Sequence, residues 1–138
     1  MNKKTPYLLS AIVAAVLALG LFAAPAAAEP SAEELRQTIR DYIHRQEKRH
    51  GAFLILDERG EVNRRLSLVR VHERVGKTGD YYYSCTDMKD LGSGDELDLD
   101  FDISDQAGDL KVVDIRIHKD NGQARYTYDD NDNMIPLS

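Results

Sequence analysis

The chain holds a single cysteine, Cys85, among its 138 residues. No intrachain disulfide can form, so the fold must be held by packing alone. A haem attachment motif needs two cysteines and is excluded with it. Also missing are a glycine-rich phosphate loop, a serine in a glycine-flanked elbow and an HExxH zinc helix. His44 and His50 stand six positions apart, not four. These gaps remove the motif support for nucleotide enzymes and the common hydrolases. The sequence carries no recognisable catalytic set, and no cofactor is expected. It shows no internal repeat of solenoid or propeller length.

The N-terminus is compositionally distinct. Asn2-Lys3-Lys4 form a short positive head, an apolar run from Leu8 to Ala24 follows, and Ala26 and Ala28 precede the polar Glu29. That order fits a signal peptide over 1–28, cleaved after Ala28. The alanine-rich end is too weakly hydrophobic for a good membrane anchor, so no stable insertion is expected after cleavage. No cysteine at the cleavage site allows lipid attachment, and no twin-arginine pair precedes the run. The protein is expected to be periplasmic or secreted, with 29–138 forming one domain. Losing Lys3 and Lys4 leaves 16 basic against 24 acidic residues, a net charge of about −8. Nucleic acid and anionic lipid are therefore poor partners.

Two segments announce their structure. Ser31 followed by Glu34 has the spacing of a capping box, and Leu35, Ile39, Tyr42 and Ile43 make one apolar stripe after it. Cations gather toward Lys48-Arg49 and Gly51 follows, so a helix is predicted over about 32–49. Farther on, Leu97, Leu99, Phe101 and Ile103 alternate with Glu96, Asp98, Asp100 and Asp102. A period of two makes this a strand with one apolar and one acidic face, which suits an antiparallel sheet covered on a single side.

The remainder reads as strands and turns: 52–56, 66–75, 80–88, 110–119 and 123–128, the last set by Asn121-Gly122 as a type I′ hairpin. In that hairpin Ile117 would face Tyr126 and Ile115 would face Tyr128. Leu99 opposite Ile115 would bring Phe101 to Val113 and Asp98 to Arg116, with Arg125 and His118 also answering the acids. The slipped alternation at Leu66–Val71 signals a bulge or a doubly covered strand. The predicted architecture is α+β: one N-terminal helix on an antiparallel meander of about six strands. In layout alone it is like the cystatin and NTF2-type rolls.

Three groups are candidate sites. Asp98, Asp100 and Asp102 lie about 7 Å apart on one strand face, too wide for one metal ion unaided. They read first as a solvated face, and otherwise as a dock for a protein partner with a basic surface. Tyr81 and Tyr83 share a face; with Tyr126 or Tyr128 they would offer a binding surface for a peptide or glycan. Pairing Val75 with Asp80 would place His72 opposite Tyr83 and beside Cys85. With His118 that suggests a metal or thiol site, against the plainer reading of Cys85 as a small buried hydrophobe. Asp129–Asn133 begins a calcium-loop pattern but lacks its glycine and closing acid, so a turn and a disordered end are expected. The leading expectation is a non-catalytic binding module of the bacterial envelope. The alternatives are the metal or thiol site, or a carrier of a small apolar ligand between helix and sheet.

Overall fold

The computed structural model describes residues 28–138. The expected signal peptide, except for Ala28, lies outside the described residues. Helix α1 spans Ala32–His50. Its first turn has the full capping box: Glu34 N–H donates to Ser31 Oγ, and Ser31 N–H donates back to the Glu34 carboxylate at 2.8 Å. Gly51 ends the helix at φ 75°, a left-handed conformation that a side chain would oppose.

Eight strands follow: β1 Phe53–Asp57, β2 Val62–Thr78, β3 Tyr81–Asp90, β4 Glu96–Gln106, β5 Asp109–Asp120, β6 Gln123–Ala124, β7 Tyr126–Tyr128 and β8 Met134–Pro136. The first six form one antiparallel sheet in chain order, and β7 and β8 form a separate ribbon. One helix on a six-stranded antiparallel meander is the α+β layout expected from the sequence.

The apolar side of β4 makes the core. Leu97, Leu99, Phe101 and Ile103 are fully buried beneath Leu35, Ile39 and Ile43 of α1, joined by Phe53, Leu66 and Met88. Each such side chain, once buried, stabilises the fold by roughly 1.5–3 kcal/mol through loss of water contact. Tyr42 closes edge-on over Phe53 and Phe101. The space between helix and sheet is thus filled with side chains, and the apolar-ligand carrier has no support there.

The predicted registers need correction. The stretches Gly76–Gly79 and Asp105–Gly108 read as four-residue turns, but the actual turns are two residues long. They are Gly79-Asp80, with Thr78 facing Tyr81, and Ala107-Gly108, with Gln106 facing Asp109. Consequently Val75 faces Ser84 rather than Asp80, while on β4–β5 the turn together with an extra residue at Val113 sets Phe101 against Ile115 rather than Val113. Leu99 faces Ile117 and Asp98 faces Lys119. Over Leu99–Asp102 the shift is even, so the apolar face stays apolar there. Asn121-Gly122 does form its tight turn, with Asp120 facing Gln123 and both turn residues at positive φ.

Gly76 therefore lies within a strand, where the Tyr83 ring crosses its backbone. An added Cβ would meet that ring at 2.3 Å. Gly76→Ala is expected to displace Tyr83 and destabilise by about 1–3 kcal/mol, measured as a lower denaturant midpoint. An unchanged midpoint would contradict the close approach.

The irregularity at Leu66–Val71 is a bulge. Val69 is the extra residue between the Leu68–Met88 and Arg70–Asp87 pairs, and it is 64% exposed. A wider one follows: His72, Glu73 and Arg74 stand against Cys85 alone. The last strand also departs from expectation. The chain bends at Arg125, ends β6 after Ala124 and crosses to the face of the sheet opposite α1. Arg125 is held there by a two-pronged ion pair with Asp57. In the predicted ladder, Tyr126 and Tyr128 would have carried their hydroxyls into the apolar side, where nothing could accept them. The tail is ordered into β8, with Asp129 Oδ1 accepting from Asn131 and Asn133 N–H at 2.8 and 2.9 Å. This corrects the expected disordered end.

Candidate functional site

The face of the sheet away from α1 carries the acidic side of β4, and that side is not solvated. Asp100 is 1% exposed. Its Oδ2 accepts O–H bonds from Tyr126 at 2.8 Å and Tyr128 at 2.6 Å, both from the β7 segment laid across the sheet. Asp102 takes a two-pronged bond from Arg116 at 2.7 and 2.8 Å, and Asp98 pairs with Lys119 at 3.2 Å. A charge leaves water only when partners replace its hydration. Each acid here has its partner within the chain, which corrects the solvated-face expectation.

Cys85 is the register partner of Asp100 on β3, so the two side chains stand side by side. His118 reaches the same place from β5: its Nδ1 lies 3.9 Å from Cys85 Sγ and 3.7 Å from Asp100 Oδ2. Its other nitrogen, Nε2, lies 3.1 Å from the carbonyl oxygen of Tyr126. A carbonyl can only accept, so Nε2 carries a proton, and in the Nε2–H tautomer Nδ1 turns its lone pair toward the thiol and the carboxylate. The imidazole also stacks on Tyr126, centroids 4.7 Å apart. Ligand atoms of Cys85, Asp100 and His118 all fall within 4.8 Å of one another.

These three residues floor a pocket of about 160 Å³, bordered by His72, Arg74, Tyr83, Lys119 and Tyr128. Tyr83 and Tyr128 stack at 4.8 Å, and Tyr83 O–H donates to Asp132 Oδ1 at 2.9 Å, which ties the β7–β8 turn to β3. Burial and the Asp132 carboxylate push the Tyr83 hydroxyl up to about 12. Burial raises the Cys85 thiol well above its ordinary value, and the Asp100 charge adds to this. Burial and Asp100 likewise hold Tyr126 and Tyr128 as neutral O–H donors. A thiol so held is a poor nucleophile.

Of the residues read as candidates, Cys85, His118 and Asp100 converge. Tyr83 borders the same pocket, whereas Tyr81 is an exposed residue at the hairpin end. His72 does not join the cluster. The wide bulge turns it to Asp87, Nε2 to Oδ1 2.5 Å, instead of setting it opposite Tyr83. Extending the Asn121-Gly122 ladder as far as Tyr128 puts Tyr126 and Tyr128 on the wrong face. Their alternation around Thr127, two polar-tipped rings on one side of a strand, is the signal that could have marked them.

Comparison with models of protein families, with curated proteins and with solved structures finds no match to this chain.

Proposed function

We propose that residues 29–138 form a non-catalytic binding domain of the bacterial envelope, periplasmic or secreted after removal of 1–28. Its ligand enters the pocket floored by Cys85, Asp100 and His118. One observation carries this reading: Asp100, a buried carboxylate, opens onto that pocket with its charge answered by two tyrosine hydroxyls. Among the described residues no lysine or arginine pairs with it, and the one basic nitrogen within ion-pair reach is His118 Nδ1 at 3.7 Å. The pocket is small, about 160 Å³, which suits an ion or a molecule of a few atoms. The raised thiol argues against nucleophilic chemistry. Docking of a basic protein on Asp98, Asp100 and Asp102 is less favoured, because the partner would have to displace Lys119 and Arg116.

Protein isolated untagged from the envelope fraction is expected to show, by native mass spectrometry, a small adduct that Cys85→Val and Asp100→Asn lose. A wild-type chain without adduct, or an adduct kept by both variants, would overturn the reading.

A further inference from the structure

We propose that the ligand of this pocket is a thiophilic divalent cation of the zinc class, bound by Cys85 Sγ, His118 Nδ1 and an Asp100 carboxylate oxygen. This inference rests on the pocket being the binding site, and it names the chemistry of the occupant.

The donor set is the first argument. A thiolate, an imidazole nitrogen and a carboxylate are zinc's usual protein ligands, whereas calcium and magnesium take oxygen alone. Spacing is the second. Around a tetrahedral ion with bonds of about 2.0–2.3 Å, neighbouring donors stand about 3.3–3.6 Å apart. His118 Nδ1 lies 3.9 Å from Cys85 Sγ and 3.7 Å from Asp100 Oδ2. Those two pairs need close by only a few tenths of an ångström, and the widest pair of the three, within 4.8 Å, by about an ångström, with the strands unmoved.

The third argument is how the donors are held. A metal-binding histidine presents one nitrogen and fixes its ring through the other, commonly to a carbonyl. His118 does this with Nε2 on the Tyr126 carbonyl at 3.1 Å. Ligating carboxylates are themselves hydrogen-bonded, and Asp100 receives the Tyr126 and Tyr128 hydroxyls. Tyr126 therefore serves two donors at once, one through its backbone and one through its side chain. The donors come from three adjacent strands, β3, β4 and β5, a rigid base for a preset geometry.

Binding is a ligand exchange without redox change. The hydrated cation gives up waters, Cys85 releases its proton to solvent, and the sulfur lone pair forms the bond to the metal. Three protein donors leave a fourth position facing the pocket, which a water or another small donor fills. Closed structural zinc sites have four protein ligands, so an open position marks an exchangeable ion or one that meets a further ligand. His72 is not among the donors, since its ring is turned to Asp87.

The test is a titration of chelator-stripped, reduced full-domain protein with Zn²⁺ alone, by calorimetry against a competing chelator. Co²⁺ is then used as a spectroscopic probe. The expected result is one ion per chain, and a cobalt–thiolate charge-transfer band that disappears in Cys85→Ser. His118→Gln should weaken binding by more than about 100-fold. Tyr126→Phe, which keeps the backbone carbonyl and removes only the hydroxyl on Asp100, should weaken it by about 10–100-fold. His72→Ala should leave it unchanged. Metal-free melting curves of the variants separate loss of binding from loss of fold. Absence of Zn²⁺ binding by folded wild type, or undiminished binding by both Cys85→Ser and His118→Gln, overturns the assignment. If Zn²⁺ fails while the isolated protein still carries another adduct in this pocket, the cation falls and the pocket stands. If neither is found, both fall.

Discussion

Phe101→Ala is expected to lower stability by about 3–5 kcal/mol, the usual cost of removing a buried phenylalanine ring. Phe101 is fully buried at the centre of β4 and meets rings on two sides, Phe53 at 5.8 Å and Tyr42 at 6.3 Å. Both neighbours are themselves anchored, Phe53 at the start of β1 and Tyr42 on α1, so the space left behind cannot collapse easily. In a domain of this size each kcal/mol moves the midpoint by about 4–8 °C, so melting should fall by roughly 15 °C or more. Val113→Ala is the control. Val113 is 51% exposed on β5, and its loss should cost about 0.5 kcal/mol or less. Comparable effects at the two positions would mean that the β4–β5 register is wrong.

Asp57→Asn is expected to be nearly as damaging, for an electrostatic reason. Asp57 ends β1 almost fully buried, receiving Arg125 at 2.7 and 2.9 Å and Arg64 at 3.2 Å. Arg64 also reaches Asp90 and Asp95, and both guanidiniums meet Asp120. Two arginines and four aspartates thus close one end of the sheet. Removing a charge from such a buried set leaves Arg125 with Asp120 alone and is expected to cost about 3–5 kcal/mol. The same contact sets a pH dependence. Arg125 above all holds the Asp57 carboxyl down to about 2. A depressed folded value means stability that is complete above the ordinary aspartate range and is lost as pH falls toward 2. The shift is worth roughly 2 kcal/mol at about 1.4 kcal/mol per unit. Wild type should lose stability between pH 4 and 2 by about that much more than Asp57→Asn, as read from denaturant midpoints. Parallel pH profiles would show that the ion pair contributes nothing.

The core was legible because its signals are local. The capping box at Ser31 and Glu34, the helix stripe and the period-two run from Leu97 to Ile103 each lie within a dozen residues. They fixed which faces are apolar whatever the registers proved to be. The site was harder to read because it depends on three distant events. The bulge at His72–Arg74 separates His72 from Cys85. The shorter turn at Ala107-Gly108 and the extra residue at Val113 move β5 along β4. The bend at Arg125, drawn by Asp57 sixty-eight positions away, carries Tyr126 and Tyr128 over the acidic face. Asp100 looks in sequence like its neighbours Asp98 and Asp102. Only the arrival of two tyrosine hydroxyls from a remote segment makes burying it tolerable.

The geometry of the site turns on which nitrogen of His118 carries the proton. A long-range proton–nitrogen correlation spectrum of the metal-free protein reads this directly. The Nε2–H tautomer is predicted, with Nδ1 bare toward Cys85 and Asp100. An Nδ1–H tautomer would mean that the ring donates into the pocket and has no lone pair there, contradicting both the Tyr126 contact and the cation site built on it.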